Sequence, residues 1–99
     1  MGTHRSQYDE ELLRRADEVL HYVWDPIGVS NQPAARDHYF GYLPTVFGML
    51  KDQADTSQIA EHLNAIAAER MSLPHLTEQA RRAAELLVAW RTRLDATHP

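Results

Sequence analysis

Apolar side chains recur at helical spacing in four separate segments of this sequence, and no segment alternates as a strand does. In residues 8–23, Leu12, Ala16, Val19, Leu20 and Val23 form one stripe of an amphipathic helix. Asp9, Glu10 and Glu11 occupy its first turn, where the helix dipole favours carboxylates. Trp24-Asp25-Pro26-Ile27-Gly28 ends it, because Pro26 disfavours a helical Asp25 and Gly28 supplies a turn. In residues 37–51 the stripe is Tyr39, Leu43, Val46, Phe47 and Leu50, with Asp37 expected as the N-cap. The stripe keeps its phase across Pro44, which predicts one helix kinked at that residue rather than two. Residues 56–71 carry Ile59, Leu63, Ile66 and Ala67, joined by the stem of Arg70, and open with an Asp55-x-x-Gln58 capping box. Leu73-Pro74 ends that helix. Residues 77–96 carry Ala80, Ala83, Ala84, Leu87, Trp90 and Leu94. The expected fold is therefore all-α, a compact four-helix bundle with a kinked second helix.

The chain has 99 residues, which suits a single helical domain spanning 1–99, with 1–7 and 97–99 expected to fray. With 43% hydrophobic and 24% charged residues it has the composition of a globular protein rather than a disordered one. Cysteine is absent, which excludes disulfides, thiol catalysis and cysteine-ligated metals. No apolar run approaches the ~18 residues a spanning helix needs, and no signal core opens the chain, so a cytoplasmic location away from membranes is expected. The net charge is −4, against the basic balance of a nucleic-acid binder. That charge is uneven. Residues 37–69 set Asp37, Asp52, Asp55, Glu61 and Glu69 against Lys51 alone, whereas arginines dominate 70–99.

The segments Trp24-Asp25-Pro26-Ile27-Gly28-Val29, Asp37-His38-Tyr39, Tyr42-Leu43-Pro44 and Met71-Ser72-Leu73 occur in a characteristic order. In them the chain resembles a group of small helical bacterial proteins without an established activity. Their pattern reads roughly WDPIGV, then DEYDSYxP, then an MGL-like ending. The resemblance covers about residues 12–73 and implies a helical fold and a bacterial source, but no mechanism. His38, Phe40 and Ser72 depart from the Glu, Asp and Gly of that pattern. The loss of two carboxylates weakens any metal or acid–base site built on it.

Candidate sites follow from these elements. Residues 24–32 make the longest connection, which is either a packed plug or a binding loop. Asp25 is expected in an Asx turn, and Trp24 and Trp90 in the core. Tyr39 lies on the buried stripe. Phe40 and Tyr42 lie off it, and beside Asp37 and His38 they would form a protein-binding patch. Metal binding finds little support. His4 and His98 lie in tails, His21, His38, His62 and His75 form no ligand motif, and Glu18-x-x-His21 has no second such pair. No phosphate-binding, dinucleotide or serine-nucleophile motif occurs, and Arg81, Arg82, Arg91 and Arg93 alternate with Glu78 and Glu85 as a solvated helix face does.

The expected function is protein binding without a cofactor, through Asp25, Asp37, His38, Phe40 and Tyr42. An acidic, aromatic module of immunity or antitoxin type would mask a basic partner. One alternative is a small-molecule or metal-binding helical enzyme using Asp25, Asp37, His38 and Tyr42. Another is a homodimer joined through the exposed aromatics.

Overall fold

A computed structural model describes residues 6–28, 31–73 and 77–97. The expected fraying of 1–5 and 98–99, the helix stop at Pro74 and three of the histidines (His4, His75 and His98) lie outside the described residues. The fold is all-α. Its helices are α1 (Gln7–Val19), α2 (Leu43–Lys51), α3 (Thr56–Arg70) and α4 (Thr77–Thr97), and no strand occurs among the described residues.

Ser6 caps α1 by accepting the Asp9 amide at 3.1 Å. Beyond Val19 the helix does not stop but widens into a π-helical turn, Leu20–Trp24, closed by Asp25 N–H donating to the Leu20 carbonyl at 3.0 Å. The wider turn delays the stripe by one residue. Leu12, Ala16, Val19 and Leu20 are buried as expected, but Trp24 rather than Val23 then enters the core, and His21 is buried with it. Asp25 ends the turn in the left-handed conformation (φ 32°, ψ 61°).

The helix expected over 37–51 is shorter and begins differently. Residues 36–39 form turns, Phe40–Tyr42 a single 3-10 turn, and the α-helix starts at Leu43. Pro44 thus stands in the first turn of α2 instead of kinking its middle. There its missing N–H removes no helical hydrogen bond, so the sequence starts a helix where it would otherwise have to bend one. Asp37 does not cap α2, whose N-cap is Tyr42 with no side-chain hydrogen bond. The stripe itself holds: Tyr39, Val46 and Leu50 are buried, and Leu43 and Phe47 pack on the core.

Both halves of the expected capping box open α3, with Asp55 Oδ1 accepting the Gln58 amide and Gln58 Oε1 accepting the Asp55 amide, each at 2.8 Å. Ile59, Leu63, Ile66 and Ala67 are buried, whereas Arg70 is exposed. The helix ends where Ser72 turns left-handed (φ 54°) and Leu73 N–H donates to the Ala67 carbonyl at 2.9 Å.

The longest helix, α4, is the hub, packing against α3, α1, α2 and the π turn. Ala80, Ala83 and Ala84 are fully buried, small enough for a neighbouring helix to approach closely. The expected stripe is corrected at one place. Trp90 is only partly buried, and the buried position beside it belongs to Arg91, 7% exposed. Arg91 Nη1 donates to the carbonyls of Leu50 (3.2 Å) and Ala54 (2.8 Å). It thereby satisfies acceptors at the C-terminal end of α2, where the helix dipole favours a cation. Arg91, grouped with the solvated arginines on sequence grounds, is an interior residue.

Candidate functional site

The two ends of the long connection meet at Tyr39. Its hydroxyl donates to Asp25 Oδ1 at 2.7 Å and accepts the Ile27 amide at 3.3 Å. Its ring lies 5.4 Å from that of Trp24, and His38 meets it edge-on at 5.2 Å. Burial and the Asp25 carboxylate both push the Tyr39 hydroxyl well above the usual phenol range, so it remains a donor at physiological pH. The Asp25 carboxylate, expected in an Asx turn, is engaged here by a side chain 14 residues away. In the described part of the connection, Trp24 and Tyr39 form a packed plug.

The five residues expected to bind a partner are divided by this plug. Asp25 is turned to Tyr39. Asp37, His38 and Phe40 are exposed. Tyr42 is half-buried, its ring edge-on to Trp24 at 6.1 Å. It lines a groove with Thr45, His62 and Arg70 that includes none of Asp25, Asp37 and His38. Phe40 instead lines an apolar hollow of about 360 Å3 with Leu13 and Leu43, rimmed by Glu10, Arg14 and Asp17. Phe40 and Tyr42 therefore serve two different surfaces.

The hollow beside Phe40 continues into a face that the sequence does not reveal. Arg36 makes a two-pronged ion pair with Asp17, at 3.1 and 2.9 Å, and its guanidinium lies 5.4 Å from the centre of the Tyr22 ring. Hydrogen bonding to Asp17 raises the Arg36 pKa further, so the guanidinium stays charged. Tyr22 is 57% exposed and Phe40 50% exposed, and the pair Asp17–Arg36 joins them across α1 and the connection. A helical wheel places Tyr22 off the buried stripe. Nothing in the spacing of Asp17 and Arg36, 19 residues apart, announces their pairing.

Among the described residues no three His, Asp or Glu side chains are placed to hold a metal ion. Glu18 is engaged by Arg15 at 3.1 Å, and His21 is buried with Nδ1 lacking a hydrogen-bond partner. No helix among the described residues is long and apolar enough to cross a membrane. No family model, no curated protein and no solved structure matches the chain.

Proposed function

We propose that the protein is a binding module for another protein, using the face that runs from Tyr22 over Asp17–Arg36 to Phe40 and Leu13. One observation carries this reading: two large aromatic side chains stay half-exposed on either side of a preformed bidentate ion pair and an apolar hollow. Aromatic and arginine side chains held in place before contact supply binding energy with little ordering cost. Asp37 is exposed three residues before Phe40, and Glu10 stands on the rim of the hollow, where Arg14 is already paired with Glu11. This favours a basic partner, as an immunity or antitoxin protein has. Asp25 and Asp55, by contrast, are spent on Tyr39 and on the cap of α3.

Photo-crosslinking tests the reading. A photoreactive phenylalanine replaces Phe40, Tyr22 or, as a control on α3, Glu61, in cells of the source organism. The expected result is one protein crosslinked from positions 40 and 22 but not from 61, and lost when Arg36 is changed to Glu. Equal crosslinking from all three positions, or none from 22 and 40, overturns the proposal.

A further inference from the structure

The described arginines divide into two groups. Arg14 is paired with Glu11, Arg15 with Glu11 and Glu18, Arg36 with Asp17, Arg81 with Glu78 and Glu85, and Arg91 is bound to two carbonyls. The guanidiniums of Arg70, Arg82 and Arg93 make no hydrogen bond or ion pair among the described residues. Two of these three, Arg82 and Arg93, lie on one side of α4 with Leu86, Ala89 and Trp90 between them. The five residues follow the i, i+4, i+7, i+8, i+11 rule of a helical stripe, rotated about 100° from the buried stripe through Leu87. Leu86 is 41% exposed, and the half-buried Trp90 carries Arg15 over its ring at 4.5 Å. Leu86, Ala89, Trp90 and Arg93 line a shallow, mostly apolar hollow of about 530 Å3.

We propose that this outer face of α4 is a docking surface for an acidic amphipathic helix of a partner protein. An apolar centre between two uncommitted guanidiniums, about 16 Å apart along the axis, matches a helix with apolar side chains in its middle turns and carboxylates near both ends. Carboxylates there meet the planar donor fork that arginine presents. Phosphate-bearing ligands fit less well, since the apolar centre at Leu86 and Trp90 offers them nothing, whereas Glu78 and Glu85 on the same helix are both held by Arg81. The surface shares no lining residue with the hollow beside Phe40, although Arg93 reaches a cleft that Glu10 and Arg14 of that hollow's rim also line, and it favours the opposite charge. It stands whether or not the face through Phe40 binds a basic protein.

The probe is a fluorescein-labelled 14-residue helical peptide, with leucines at helical spacing in its centre and two glutamates at each end. Its binding to the full chain is read by fluorescence anisotropy. The expected result is saturable binding that weakens at least about tenfold in the Arg82→Glu, Arg93→Glu double variant. A lysine-ended version of the peptide is expected to prefer that double variant. Trp90→Ala is expected to weaken both, with circular dichroism confirming that each variant keeps its helices. Undiminished binding by the double variant overturns the proposal, as does absence of saturable binding. Sedimentation of the chain with phosphatidylglycerol vesicles without peptide binding also overturns it and assigns the face to a lipid surface.

Discussion

Two connections in this molecule solve the same problem by different means. Between α2 and α3 the chain turns in a few residues, where Asp55 and Gln58 exchange hydrogen bonds three residues apart and Arg91 reaches in from α4 to the Ala54 carbonyl. Between α1 and α2 a longer stretch is held by Tyr39, which bonds Asp25 and Ile27 while its ring packs near Trp24. The first carries a cap made of adjacent residues, and one interior side chain pins it. The second closes only when the core closes, because its anchors are core residues. A local cap adds stability in a small fixed increment, whereas an anchored joint ties the connection to global folding.

That difference orders the expected effects of substitution. Trp24→Ala removes the largest fully buried side chain and is expected to cost about 3–5 kcal/mol in urea unfolding, with the connection disordered in the same transition. Hydrogen exchange showing residues 24–42 opening separately from α3 and α4 would break the comparison. Tyr39→Phe leaves the ring in place but strips Asp25 of its hydroxyl donor, and is expected to cost about 1–3 kcal/mol. A double-mutant cycle with Asp25→Ala should show non-additivity, and strict additivity would mean that the Tyr39–Asp25 bond contributes nothing to the joint. Asp55→Ala at the local cap is expected to cost about 1 kcal/mol, without changing exchange in the connection between α1 and α2.

A smaller effect separates the two regions by pH. Burial lowers the pKa of His62 on α3 below its ordinary 6.5, so folding disfavours its protonation. The contribution of His62 is therefore fully present above pH 6.5 and is lost as the pH falls through its lower folded value. His62→Gln is expected to flatten the decline of stability between pH 6.5 and that lower value. An unchanged pH profile in the variant would place the acid-sensitive group elsewhere.

The regular parts of the fold are legible in the sequence because their signals are local. The α3 capping box spans three residues, and α4 reads as one uninterrupted apolar stripe from Ala80 to Leu94. What escapes reading depends on partners far away in the chain. A buried arginine at position 91 is unexpected until the carbonyls of Leu50 and Ala54 are brought to it. The ion pair between Asp17 and Arg36, and with it the face through Tyr22 and Phe40, arises only when the connection folds back over α1. Pro44 reads as a bend because the apolar stripe keeps its phase across it, but a proline opens a helix at less cost than it bends one. Its position in the first turn of α2 follows from the turns that precede it. Sequence reasoning gathers Asp25, Asp37, His38, Phe40 and Tyr42 into one patch. It could not see that the plug would turn Phe40 and Tyr42 to different sides.

The π turn at Leu20–Trp24 also fixes the length of this segment. Such a turn holds one residue more than a regular helix needs to cover the same ground, so it can give up that residue but cannot take another. Deleting a single residue between Leu20 and Trp24 would let α1 run on as an ordinary helix, with Trp24 moved up into the stripe position that Val23 would hold. Inserting one instead would carry Trp24 about 100° off the core side and part Asp25 from Tyr39. An insertion of the same size in an exposed turn is absorbed by neighbouring dihedral angles. For this chain, residue count between Val19 and Pro26 is as much a part of the fold's specification as the identity of any residue within it.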